Sequence, residues 1–123
     1  MLCGSPAGHD TTASLLSFTF WNLSQHAEVQ KKLQAEIDAV LQGGPFMASH
    51  LDQLPYTRSV LHESLRVHAP VPALSRVTTR EVELLGQKIP AGVGVSMRFN
   101  QAHLDEQFWP DPHSFKPERW MSQ

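Results

Sequence analysis

SVLHESLRVHAP, residues 59–70, is the stretch on which the fold turns. It sets Glu63 three residues ahead of Arg66 and runs directly into a proline-rich segment. Pro55, just upstream, suits a first helical turn, where its missing N–H is not needed. Pro70 pushes His68 and Ala69 toward extended geometry, so a helix beginning near Pro55 stops about there. Leu61 and Leu65 predict the apolar stripe of this helix. At about 100° per residue, Glu63 and Arg66 project away from that stripe on a shared face. Two readings follow. A solvated i,i+3 pair is worth only about 0.2–0.5 kcal/mol. A buried pair needs a further polar partner, because an ion pair stripped of one is unfavourable. The spacing does not choose between them.

Upstream the chain reads as helix. TTASLLSFTFWNLSQ, residues 11–25, carries Leu15, Leu16, Phe18, Phe20, Trp21 and Leu23 on most of its faces, which predicts a helix buried nearly all round. HAEVQKKLQAEIDAVLQ, residues 26–42, is amphipathic, with Val29, Leu33, Ile37, Val40 and Leu41 at helical spacing. Glu28 and Lys32 can pair on its wet side, and Gly43, Gly44 and Pro45 end it. Downstream the period changes. Val82 and Leu84 alternate with Glu81 and Glu83, Gly86 offers a turn, and Val93, Val95 and Met97 alternate again, as short strands and hairpins do. Residues 108–123 carry Pro110, Pro112 and Pro117 without a period, and predict an irregular loop anchored by Phe108, Trp109, Phe115 and Trp120. Helices first, then strands, then loop, make an α+β arrangement that is mainly α. The division expected within a single domain over 1–123 is helical 7–69 and strand-and-loop 70–123.

Composition bounds the function. The 123 residues suffice for one domain of common size, with 41% hydrophobic and 18% charged residues, ordinary for a globular chain. A net charge of −2 gives no electrostatic case for a nucleic-acid partner or an acidic membrane surface. No apolar run approaches the roughly 18 residues of a membrane helix. The single cysteine, Cys3, excludes an internal disulfide framework and a multi-cysteine zinc site, and no base stands near it to activate the thiol. His9, His26, His50, His62, His68, His103 and His113 form no i,i+4 metal pair within a helix, so they read as surface or local hydrogen-bonding residues.

Two further stretches bear candidate chemistry. In AGHDTT, residues 7–12, Ser5 or Asp10 can cap a helix start. Alternatively, Gly8, Asp10 and Thr11 lie within a helix beside a ligand. Gly8 admits a flat group against the backbone, a threonine hydroxyl bonds back one turn, and an acid beside a hydroxyl can relay protons. Arg76, where helix gives way to strand, is either an exposed strand-edge residue or a guanidinium aimed at a carboxylate.

In order and at this spacing, AGHDTT, HESLR and PERW resemble the C-terminal half of the cytochrome P450 family, the haem-thiolate monooxygenases. HAEVQKKLQAEIDAV, LPYTRSVLHESLR, KIPAG and FWPDPHSFKPERW share the likeness, which covers residues 7–120. The PERW form looks more like the eukaryote-type branch than the compact bacterial one. The resemblance implies a partial P450 fold: the end of the central distal helix, the helices after it, short hairpins and the C-terminal loop. It implies that Glu63, Arg66 and Arg119 form a buried structural triad, and that Ala7 and Gly8 lie over the distal face of haem. Asp10 and Thr11 would deliver protons for oxygen activation, Arg76 would meet a haem propionate, and residues after Pro70 would line the substrate cavity.

The implied reaction inserts one oxygen atom from O2 into an organic substrate, with electrons from NAD(P)H through a reductase, the cofactor carrying the hard chemistry. The family's cysteine loop, which supplies the iron ligand, follows PERW in relatives, and Cys3 precedes the distal helix. The chain is therefore expected to be a fragment, inactive by itself and without a firm hold on haem, since the thiolate's electron push is missing. The alternatives are a non-catalytic structural or interaction module, and a haem binder with His9 as axial ligand. Substrate, reductase and compartment are open, as is a membrane anchor in an N-terminal segment of the parent.

Overall fold

A computed structural model describes residues 6–121. Cys3 and the possible cap Ser5 lie outside them. Three helices lead the chain: α1 (Pro6–Gln25), α2 (Ala27–Leu41) and α3 (Pro55–Val67), with a 3-10 turn at Ala48–Gln53 before the third. Strands β1 (Ala73–Val77), β2 (Val82–Leu84), β3 (Gln87–Ile89) and β4 (Gly94–Arg98) follow, then a short helix α4 (Phe99–His103). A 3-10 turn at Pro117–Trp120 lies near the end. The fold is α+β and mainly helical, as its residue order predicts.

The start of α3 and the end of α2 each have a chemical reason. α3 starts at Pro55, but the cap of its first turn comes from another helix. The Glu36 carboxylate of α2 accepts from the Tyr56 and Thr57 backbone N–H groups at 2.7 and 2.8 Å and from the Thr57 hydroxyl at 2.7 Å. That satisfies orphan donors and sets a negative charge at the positive end of the helix. α2 ends where Gln42 turns left-handed (φ 48°) and donates its N–H to the Asp38 carbonyl at 2.9 Å. Gly43 (φ 79°) then takes a conformation that costs any other residue more.

The sheets are two antiparallel pairs. β1 pairs with β4, Ala73 opposite Arg98 and Val77 opposite Gly94. β2 pairs with β3 as a hairpin, Val82 opposite Ile89. Its turn is Leu85-Gly86, with φ of 51° and 77°, the sign required by the tightest hairpin turns. Thr78 fastens the return to β4. Its hydroxyl donates to the Pro90 carbonyl at 2.7 Å and accepts the Val93 N–H at 3.0 Å. Neither β1 nor α4 is marked by strong periodicity, and both are short.

The core is small and sits between α1, α2, α3 and the C-terminal loop. Leu23, Val29, Tyr56, Val60 and Phe115 form it, with Leu33 and Val67 against its edge. Full burial of an aliphatic side chain such as Val60 contributes roughly 1.5–3 kcal/mol.

Four expectations are corrected here. α1 is not buried all round: Thr19, Asn22 and Leu23 turn inward, while Leu16, Phe18, Phe20 and Trp21 are exposed. Its apolar residues outnumber the one face that its neighbours cover. On α3 the inward face carries Tyr56, Ser59, Val60, Glu63, Ser64 and Arg66, whereas Leu65 is exposed. Glu28 pairs with Lys31 at 3.0 Å, leaving Lys32 to reach Glu118 at 2.7 Å, a partner 86 residues away. Phe108 is exposed rather than an inward anchor, while Phe115 is buried.

Candidate functional site

The Glu63 carboxylate and the Arg66 guanidinium are the hub of the inner face. Glu63 Oε1 accepts from Arg66 Nη2 at 2.8 Å, the Lys116 backbone N–H at 2.9 Å and Arg119 Nε at 3.3 Å. Glu63 Oε2 accepts from Arg66 Nε at 2.9 Å and the Trp120 indole N–H at 2.9 Å. Arg66 in turn donates to the carbonyls of His103 (2.8 Å), Pro112 (2.7 Å) and Ser114 (3.2 Å). Arg119 Nη2 reaches the Asp111 carbonyl at 2.7 Å. Glu63 and Arg66 have side-chain exposures of 0% and 1%. Burial by itself would raise the Glu63 pKa. The bonds from Arg66, Lys116 and Trp120 outweigh it and hold the carboxyl below its ordinary value of 4.5.

The network ties α3 to the irregular C-terminal loop. Trp120 lies against Trp109, ring centroids 5.4 Å apart, and Arg66 stands over the Trp109 ring at 5.2 Å. His62 meets Trp120 edge-on at 5.1 Å. A second tie runs from α2. Glu118 accepts from Lys32 and from the Tyr56 hydroxyl (3.2 Å). Burial and the charge of Glu118 push the Tyr56 phenol up to about 12, and the Lys32 ammonium holds the Glu118 carboxyl down.

Beside this network lies an open, largely apolar cleft of about 350 Å3, lined by Thr11, Thr12, Leu15, Leu65, Ala69, Pro70, Val71 and His103. α1 forms one wall, and the end of α3 with the segment after it forms the other. Thr11 is half-buried on its lining. Thr12 bonds back to the Gly8 carbonyl at 3.0 Å. Gly8 is exposed, and a Cβ built on it would meet nothing within 4 Å. Asp10 lies within α1 rather than capping it, and its exposed carboxylate meets His9 Nδ1 at 3.1 Å. Ala7 is in the first turn of α1.

Arg76 is exposed on β1, bonded through Nη1 to the Ser75 carbonyl at 2.9 Å, and is not among the residues lining the cleft. His9 is exposed and is not among the residues lining the cleft. His103, which the sequence did not single out, borders both this cleft and a smaller one of about 240 Å3 beside Trp109 and Trp120. Among the described residues its buried Nδ1 has no hydrogen-bond partner. Among the described residues no group of side chains could hold a metal ion, and no helix is long and apolar enough to cross a membrane.

The Cytochrome P450 family model matches residues 6–123. A cyclooctat-9-en-7-ol 5-monooxygenase of Streptomyces melanosporofaciens is 44% identical over 115 residues, which are 94% of this chain and 25% of that protein. Cytochrome P450 4d2 of Drosophila melanogaster is 40% identical over 116 residues, 92% of this chain and 23% of its own length. A solved zebra fish cytochrome P450 with progesterone superposes with a TM-score of 0.89 at 31% identity, over 94% of this chain and 28% of that one. The chain thus spans about a quarter of the length of these curated relatives. Bacterial and animal proteins are both among the matches. None of the matches favours a non-catalytic module.

Proposed function

Because this chain belongs to the cytochrome P450 family, we propose that it serves a haem-dependent monooxygenase, inserting one oxygen atom from O2 into a small organic substrate. Electrons would come from NAD(P)H through a reductase partner. The observation that carries the reading is the family match across residues 6–123. These residues would supply one part of the enzyme, a wall of the haem site and the scaffold that braces it. By themselves they would neither hold haem firmly nor turn over substrate. Exposed Leu16, Phe18, Phe20 and Trp21 on α1 support this, because such a face belongs against other protein.

The cleft suits the edge of a flat, apolar macrocycle. Leu15, Leu65, Pro70 and Val71 offer it apolar surface, and open space beside Gly8 lets a planar group approach the α1 backbone. Bound haem would supply the oxygen chemistry and accept the electrons. Thr11 would hold a proton at the cleft surface, and the adjoining exposed Asp10 would exchange protons with water. The exposed Arg76 guanidinium suits a carboxylate such as a propionate. Glu63, Arg66 and Arg119 are positioning residues. They hold the His103 end of the cleft and the loop beyond it against α3.

Titration of the purified chain with hemin, reduced under carbon monoxide and followed by absorbance, tests this. Weak binding without the red-shifted Soret band of a thiolate ligand is expected. A thiolate-type band would mean that a cysteine reaches the iron, and would overturn the account of an incomplete site.

A further inference from the structure

His68 is the first residue beyond α3 and closes an aromatic clasp onto α1. Its ring lies flat on Phe18, centroids 4.6 Å apart and planes within 12°, and meets Trp21 edge-on at 5.4 Å and 81°. Both geometries are favourable for aromatic pairs. The next three residues, Ala69, Pro70 and Val71, line the cleft opposite Thr11, Thr12 and Leu15 of α1. The clasp therefore joins the two walls at one edge.

We propose that His68 is a positioning residue for the cleft: neutral, its ring holds the 69–71 wall against α1, and protonated, it lets that wall move away. Among the described residues no counter-charge faces it. α1 carries no charged residue from Thr11 to Gln25. On α3, Glu63 and Arg66 bond each other and the C-terminal loop, and His62 meets Trp120. The 69–71 segment is uncharged, and the cleft lining carries the titratable His103. Burial lowers the His68 pKa below its ordinary 6.5. The sign follows: above 6.5 folded and unfolded chains are both neutral here, and the penalty grows as pH falls from 6.5 through the folded value. Stacking a cation on a ring offsets part of this penalty. The clasp does not depend on what fills the cleft, so its test is separate from the haem titration.

NMR of the full chain from about pH 8 to about pH 5, the range in which histidine switches, reads the clasp directly. The His68 imidazole is expected to titrate below 6.5. The Trp21 indole and the amides of Ala69 and Val71 should shift with the same midpoint. His68→Phe keeps a ring but no titrating proton, and should flatten those amide profiles while the wall stays closed. His68→Gln removes the ring, and should speed Val71 amide exchange about tenfold at neutral pH, the factor to which one aromatic pair converts. Titration of His68 with no response at Ala69 and Val71 would overturn the proposal, as would the same response surviving in His68→Phe.

Discussion

Two glutamates in this molecule face a basic residue three positions later, and they do opposite things. Glu28 and Lys31 on α2 meet at 3.0 Å with side chains 80% and 71% exposed. Glu63 and Arg66 on α3 meet at 2.8 Å with side chains 0% and 1% exposed. Helical spacing and opposite charge are common to both. The difference lies in what arrives from elsewhere in the chain. The α2 pair has water for its remaining lone pairs and protons. The α3 pair receives Lys116, Arg119 and Trp120 on the carboxylate, and offers its guanidinium to carbonyls at 103, 112 and 114. A buried pair is tolerable when its hydrogen-bonding capacity is met, and it is costly when one member is removed. The motif is thus half a structure, and the aromatic loop is the other half.

Glu63→Ala should break this contrast with the largest effect. It strands the Arg66 guanidinium and leaves the Lys116 N–H and Trp120 indole without their acceptor. A loss of about 3–5 kcal/mol is expected in urea unfolding, as for other broken buried pairs. A loss below about 0.5 kcal/mol would class the pair with the exposed ones. Acid provides the same test without a cavity. The Glu63 pKa is lowered in the fold, so its contribution is full above 4.5, the ordinary value, and disappears as pH falls through the folded value. Asp111 and Glu118 are also held down by their lysine partners and add to the acid slope. The part of the slope that vanishes in Glu63→Gln belongs to the network.

Trp120→Phe comes next in size. It keeps a ring beside Trp109 and removes one N–H bond to a charged acceptor, a change of roughly 1.5–3 kcal/mol. Combined with Glu63→Ala, it should prove strongly non-additive, because both act on one cluster. Additive losses would mean that Trp120 contributes through its ring contacts alone.

The same contrast explains what could be read in the sequence. Helix positions were legible because apolar residues at 29, 33, 37, 40 and 41, and prolines at 55 and 70, are local signals. The inward face of α3 was not. Periodicity sends Leu61 and Leu65 to the core, yet the loop buries Glu63, Ser64 and Arg66 and leaves Leu65 exposed. Hydrophobic patterning cannot register burial achieved by hydrogen bonds. The cap of α3 by Glu36 and the Lys32–Glu118 pair were illegible for a related reason, since each joins residues far apart in the chain. α1 shows the converse error: its apolar residues predict burial that the described neighbours do not provide. Ordered motifs, by contrast, brought Glu63, Arg66 and Arg119 to attention before any contact was known.

Lys31→Ala should have the smallest effect, and it completes the comparison. The pair's Coulomb attraction is screened by water, and two long side chains lose freedom to make it. Alanine also favours helix slightly more than lysine does. These contributions nearly cancel, so the urea midpoint should shift by no more than about 0.5 kcal/mol, and added salt should shrink even that. A loss above about 1 kcal/mol would show that Lys31 makes an important contact beyond Glu28. In that event the exposed pair would no longer serve as the reference against which the buried one is judged, and the distinction would have to rest on the Glu63 acid profile.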